Sequence, residues 1–127
     1  MKVVIFGASR GVGRQLVERA LLTGHDVTAA VRTVGTLRDA DERLRVVQSD
    51  VLNAERVSET VAGQDVVLCA VGSSNRPPVS LYSTAAGNIA QGMAAHGVRR
   101  LVFLSNFGVH NETANDLRGR ALLFLIK

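Results

Sequence analysis

Residues 1–13, Met-Lys-Val-Val-Ile-Phe-Gly-Ala-Ser-Arg-Gly-Val-Gly, decide the fold. Val3 to Phe6 is a short apolar run. Glycines follow at 7, 11 and 13, and apolar residues at helical spacing begin at once. A strand, a glycine turn and a helix start in direct succession make an anion site. The first N–H groups of the helix have no intrahelical partner, and glycine lets the main chain bend sharply and come close to a ligand. At this scale the ligand expected is the pyrophosphate of a dinucleotide. The spacing is Gly-x-x-x-Gly-x-Gly rather than the commoner Gly-x-Gly-x-x-Gly, so the flanking strand and helix carry much of the weight.

Working outward, strand and helix patterns alternate. Lys2–Gly7 reads as a buried strand and Gly11–Thr23 as a helix with an apolar stripe of Val12, Leu16, Val17, Ala20 and Leu21. Asp26–Val31, Leu44–Gln48, Asp65–Val71 and Arg99–Ser105 are further strands. Asn53 is placed to cap a helix running to about Ala62, and Tyr82–His96 is a long helix before Gly97. Gly72–Ser80, with Pro77-Pro78, is a loop, and Leu117–Lys127 is expected to be helical. The expected fold is therefore α/β: a Rossmann-type doubly wound parallel sheet in strand order 3-2-1-4-5 with helices on both faces, forming one domain over residues 1–127. Its ligand crevice lies at the carboxyl ends of strands 1 and 4, where the strand order reverses.

Composition is consistent with one globular domain. The chain has 127 residues, of which 46% are hydrophobic and 20% charged. The lone Cys69 excludes an internal disulfide framework and suits a reducing, cytoplasmic setting; its apolar surroundings point to a buried, inert thiol. No apolar run reaches membrane-spanning length, and an N-terminus that begins with a core strand leaves no expected signal peptide. The net charge is +4, but the arginines are scattered, only Arg99 and Arg100 are adjacent, and aromatics make up 4%. That pattern does not make a nucleic-acid surface. No Cys/His spacing suggests a metal.

Cofactor preference is set at the end of the second strand. A site for NAD usually carries Asp or Glu there, against the ribose 2′-hydroxyl. This chain has Arg32, whose planar fork can pair with a 2′-phosphate, so NADP(H) is expected over NAD(H). Arg10 in the glycine turn is a second cation for that phosphate and Arg38 a weaker third; Asp26 begins its strand and lies at the wrong end. The alternative is that Arg32 is a solvated loop residue. Ala70, Val71 and Gly72 end the fourth strand, where small residues let backbone approach a ribose or simply terminate the strand. His110 is a conceivable proton donor without a locatable partner, while His25 and His96 read as surface turn residues.

Gly-Ala-Ser-Arg-Gly-Val-Gly-Arg (7–14) and Leu-Leu-Thr-Gly-His-Asp-Val-Thr-Ala-Ala-Val-Arg (21–32) resemble the atypical short-chain dehydrogenase/reductases. Ser-Asp-Val-Leu-Asn-Ala (49–54), Thr-Val-Ala-Gly-Gln-Asp-Val-Val (60–67), Met-Ala-Ala-His-Gly-Val-Arg-Arg-Leu-Val (93–102) and Leu-Ser-Asn-Phe-Gly-Val (104–109) extend the resemblance to about residue 110. Within that superfamily the chain is most similar to the NAD(P)H-binding, NmrA-like group that includes biliverdin reductase B, a flavin reductase. The resemblance implies NADPH held at Gly7, Ala8, Ser9, Arg10, Gly11, Val12, Gly13 and Arg32, with Asp50 and Val51 flanking the adenine. Asp50 is equally readable as the cap of the turn that follows. The resemblance also implies Ser105 beside the nicotinamide as the catalytic position, orienting the ring amide or an acceptor carbonyl; a polar residue where a strand meets solvent is the plainer reading.

Two departures matter. The Tyr-x-x-x-Lys proton-donor motif of the main superfamily is missing, because the chain's only tyrosine, Tyr82, precedes the fifth strand. This argues against an ordinary alcohol dehydrogenase or sugar epimerase and leaves hydride transfer to a flavin- or biliverdin-like acceptor, which needs mainly positioning. Members of the group are also longer, adding strands and the helices of an acceptor pocket. This chain stops inside the apolar run Leu122–Ile126, so truncation is expected, with that run packing on the sheet or on a second copy. The alternative function is a non-catalytic NADP(H) sensor of the NmrA type, acting through a partner.

Overall fold

Lys2–Phe6 forms β1, and the chain alternates from there: α1 (Gly11–Leu22), β2 (Asp26–Val31), β3 (Leu44–Gln48), α2 (Ala54–Val61), β4 (Val66–Cys69), α3 (Val79–His96), β5 (Arg100–Asn106) and β6 (Ala121–Ile126). The structure, a computed structural model, describes residues 1–9, 11–35, 37, 41–72, 79–106 and 121–126. One sheet holds all six strands in the order β3-β2-β1-β4-β5-β6. The first five are parallel in the expected 3-2-1-4-5 order. The order reverses between β1 and β4, which pair directly with Val3 opposite Val66 and Phe6 opposite Cys69. Connections leaving these two strands run to opposite faces of the sheet and open a crevice between them.

Strand side chains alternate between two cores. Val4, Phe6, Val67, Cys69, Leu101 and Phe103 meet Val57 and Val61 of α2 and Ala85, Ile89 and Met93 of α3. Val3, Ile5, Val27, Ala29 and Val31 meet Val17 and Leu21 of α1. This is why β1 is apolar from Val3 to Phe6: both of its faces are covered there. Each fully buried aliphatic or phenyl side chain contributes about 1.5–3 kcal/mol of transfer free energy. On the first face α2 and α3 lie so close that a Cβ on Gly92 would stand 3.0 Å from the Ser58 Cα.

Several expectations meet their outcome here. Asn53 does cap α2: its side-chain oxygen accepts from the Arg56 N–H at 3.1 Å. Val12 does not join the apolar stripe of α1 but is 50% exposed at the helix start. The long third helix begins at Val79, three residues before the expected Tyr82. The largest difference lies at the end of the chain. Residues 121–126, expected to be helical, form β6, antiparallel to β5 with Leu101 opposite Ile126 and Asn106 opposite Ala121. An unbroken apolar run suits strand or helix equally, and the unpaired N–H and C=O groups along β5 supply the partner that selects strand. The run thus packs on the sheet of its own chain.

Candidate functional site

A cavity of about 270 Å³ opens where the strand order reverses, at the carboxyl ends of β1, β2 and β4. Gly7 and Ser9 line it from the turn after β1, Ala70, Val71 and Gly72 from the end of β4, and Leu81 from the first turns of α3. Ala30, Val31, Arg32 and Thr33 come from the end of β2; Ser49, Asp50, Val51 and Leu52 come from the loop after β3. The rule that ligands sit beyond the carboxyl ends of parallel strands accounts for nearly all of these positions.

The first wall is backbone. A Cβ on Gly13 would overlap the carbonyl oxygen of Gly7 and stand 2.6 Å from its carbon. A Cβ on Gly7 would stand 2.6 Å from the Ala70 carbonyl oxygen and 2.8 Å from the Val71 nitrogen. These two glycines therefore let helix, turn and β4 close on one another. Gly11 differs: it has φ +62 with nothing within 4 Å of its Cβ position. It opens α1, whose first turn carries no acidic residue. Open space over a left-handed glycine, at a helix start whose N–H groups lack intrahelical acceptors, fits the pyrophosphate of a nicotinamide dinucleotide. Ala8 is fully buried in the α1-side core, so its methyl group supports the turn from below and does not line the cavity. Gly11, Val12 and Gly13 open α1 and, like Ala8, are not among the residues that line the cavity.

The second wall is held by side chains. The Asp50 carboxylate accepts from the Leu52 N–H at 3.0 Å, and the Asp50 carbonyl accepts from the Asn53 N–H at 2.9 Å. Asp50 thus caps its turn, the plainer reading, and also lines the cavity. Val51 is 5% exposed and packs into the core while lining the cavity. Helix α2 fastens the start of this loop. Arg56 donates through Nε to the Gln48 carbonyl at 2.7 Å, and the Ser49 and Thr60 hydroxyls, the two buried polar side chains among the described residues, lie 3.0 Å apart. Thr60 also donates to the Arg56 carbonyl at 2.6 Å, which consumes its single proton, so Ser49 is the donor to Thr60. From α3, Asn88 donates to the Val51 carbonyl at 2.8 Å.

Arg32 is exposed on the rim, and its carbonyl accepts from Gln48 Nε2 at 3.2 Å. Its guanidinium has no carboxylate partner among the described residues. Arg10, Arg38 and His110 lie outside the described residues, as does the side chain of Ser105. The backbone of Ser105 is on β5, opposite Leu122 of β6. Cys69 sits beneath the cavity floor, opposite Phe6, and is buried; burial pushes its thiol up to about 12, against a smaller opposing effect of a hydrogen bond with the Val71 backbone. It is a packing residue, as its sequence surroundings indicate. Among the described residues no group of three or more His, Cys, Asp or Glu side chains could hold a metal, and no helix is long and apolar enough to cross a membrane.

Sequence reasoning missed Ser49, Thr60 and Asn88 as parts of this site. Ser49 directly follows the carboxyl end of β3, a positional signal that was available. Asn88 stands 37 residues from Val51, and nothing local marks it.

The geometry agrees with comparison to known proteins. An uncharacterized chloroplastic protein of Arabidopsis thaliana is 28% identical over 135 residues, covering 98% of this chain and 48% of that protein. Cinnamoyl-CoA reductase 1 of Oryza sativa is 31% identical over 125 residues, covering 89% of this chain and 36% of that one. The chain thus spans about half the length, or less, of these relatives. Among solved structures, uronate dehydrogenase from Agrobacterium tumefaciens in complex with NAD superposes with a TM-score of 0.71 at 27% identity, over 83% of this chain and 40% of that one. An oxidoreductase from Lactococcus lactis, at TM-score 0.75 and 23% identity over 90% of this chain and 52% of that one, shares the fold. Residues 7–124, from the first glycine of the turn to the sixth strand, match the model of the NAD(P)H-binding family, and the chain belongs to that family.

Proposed function

We propose that this chain is the NADPH-binding module of a reductase that passes hydride to a flavin- or biliverdin-like acceptor in a reducing, cytoplasmic compartment. The observation that carries the cofactor choice is Arg32: a guanidinium on the cavity rim at the end of β2, where a carboxylate would select NAD. The reductase reading rests on the resemblance to the biliverdin and flavin reductase group, and the rice relative is itself named a reductase. NADPH supplies the hydride when bound, from its nicotinamide ring.

The chain's own residues bind and orient. The N–H groups at Gly11, Val12 and Gly13 take the pyrophosphate, with Ala8 and Ser9 shaping the turn. Arg32 and Arg10 take the 2′-phosphate by charge-assisted hydrogen bonds. Asp50 gives Oδ1 to its own turn and keeps further acceptor capacity for the adenine amine, with Val51 against the ring. Small Ala70 and Gly72 leave room for the second ribose. Ser105, at the carboxyl end of β5, orients the nicotinamide amide or the acceptor carbonyl.

Calorimetric titration with NADPH and NADH, repeated with Arg32→Ala, tests this reading. The expected result is tighter binding of NADPH, and a selective loss of about tenfold to a hundredfold in the variant, the scale of a charge-assisted hydrogen bond. Equal affinity for both nucleotides, unmoved by Arg32→Ala, overturns the preference. NADPH binding without oxidation by any of a panel of flavins and quinones favours the sensor reading over the reductase.

A further inference from the structure

We propose that Asn88, in the middle of α3, is a positioning residue for the adenine half of the nucleotide: it fixes the Asp50–Asn53 turn through the Val51 carbonyl. The assignment rests on the reading of the cavity as a nucleotide site. Three observations carry it. The 2.8 Å bond from Asn88 Nδ2 to the Val51 carbonyl joins elements 37 positions apart. Of the other bonds of the turn, those from the Leu52 and Asn53 N–H groups to Asp50 close it on itself, and those that Asn53 accepts from the Arg56 and Val57 N–H groups join its end to α2; among the described residues the Asn88 bond is the one that joins it to α3. Asn is also a poor choice for a helix interior. It is less favourable than Ala there, yet it stands beside the buried Ala85 and Ile89 on the face that meets the core.

The same helix reaches the other end of the cavity. Leu81 lines it beside Val71 and Gly72. Seven residues separate Leu81 from Asn88, about two turns or 10 Å of rigid helix. Helix α3 therefore sets the separation between the adenine wall and the end of β4, and Asn88 is the point at which the adenine wall is tied to it. Without the amide donor, Val51 keeps its apolar packing in the core shared with α3 but loses the hydrogen bond that fixes its backbone to that helix, and the Asp50 acceptor is less firmly held relative to Ala70 and Gly72.

The test compares wild type, Asn88→Ala and Asn88→Gln, using 2′,5′-ADP as the probe and amide hydrogen exchange as a second readout. Alanine favours the helix, so the variant is expected to fold. Asn88→Ala should bind 2′,5′-ADP about tenfold more weakly, the scale of one net hydrogen bond. The Leu52 and Asn53 amides should exchange faster while those of α1 stay as they are. Asn88→Gln, which keeps the amide donor on a longer arm, should recover much of both effects. Unchanged 2′,5′-ADP affinity with unchanged exchange at Leu52 and Asn53 overturns the assignment. So does faster exchange throughout the domain, which would make Asn88 a general packing residue. Failure of the wild-type chain to bind 2′,5′-ADP overturns the nucleotide reading itself, and the exchange pattern still reports separately on whether Asn88 holds the turn.

Discussion

The two walls of the cavity are built on opposite physical principles. The wall after β1 is made by removing atoms: Gly7 and Gly13 allow contacts that no side chain would permit. The wall after β3 is made by adding them. Arg56, Thr60 and Asn88 each spend a polar side chain on the segment Gln48–Val51, and Asn53 caps the helix that follows it. A wall made by steric exclusion fails all at once when an atom is restored. A wall made of hydrogen bonds weakens in steps, because each bond contributes only about 1 kcal/mol net.

The largest expected effect follows directly. Gly13→Ala sets a methyl group against the Gly7 carbonyl, and backbone cannot yield as the tip of a flexible side chain can. The variant should lose several kcal/mol of stability, more than the roughly 1–3 kcal/mol of an ordinary overpacked core, and should fail to give a cooperative melt by circular dichroism. Gly11→Ala is the control within the same turn. Its Cβ meets nothing within 4 Å, so only the left-handed φ of +62 is penalised, by about 1–2 kcal/mol. This variant should melt cooperatively at a lower temperature and lose NADPH affinity, because the methyl group occupies the space over the helix start. Similar stability in the two variants would show that the steric account of the wall is wrong.

The second wall should respond on a smaller scale. Asn53→Ala removes the cap of α2 and frees the N–H of Arg56, whose guanidinium also holds the Gln48 carbonyl. The expected cost is about 1 kcal/mol, a fall of a few degrees in Tm with cooperativity intact. A cost as large as that of Gly13→Ala would erase the distinction between the walls.

The same distinction governs how far the site could be read from sequence. A wall of glycines is local: strand, turn and helix stand within thirteen residues, so their spacing announces the construction. The capping Asn53 is local too, and β2 and β3 have the expected limits. The Asn88–Val51 bond, by contrast, depends on the packing of α3 over the loop after β3, and no short-range pattern encodes it. Strand β6 failed to show for a related reason. The run Ala121–Ile126 is apolar at every position, so its periodicity selects nothing, and its conformation is decided by the open edge of β5 more than a dozen residues away. Val12 shows the limit of periodicity from the other side: in the first turn of α1 it is Gly13 that is buried, against the Gly7 carbonyl, and Val12 beside it is left half exposed.

The smallest effect concerns the support beneath the glycine wall. Cys69 precedes Ala70, whose carbonyl Gly7 approaches, and it is opposite Phe6 in the sheet. Burial pushes its thiol from an ordinary value of 9.0 up to about 12. The folded state therefore keeps the thiol neutral where the unfolded chain would ionise it. The sign follows from linkage: this contribution to stability is fully present below about pH 9 and is lost as the pH rises toward about 12. At about pH 9.5 the loss should be on the order of 1 kcal/mol. Cys69→Ala should remove that part of the alkaline decline, leaving the decline shared by the other titrating groups. Urea midpoints of the two proteins at about pH 7.5 and 9.5 would measure it. Alanine should be less stable than cysteine at the lower pH, through the cavity it leaves, and the gap should narrow at the higher pH. A constant gap would mean that the thiol ionises as easily in the folded protein as in the unfolded one. The floor beneath the glycines would then be open to water, and the sterically built wall would rest on a looser support than its close contacts imply.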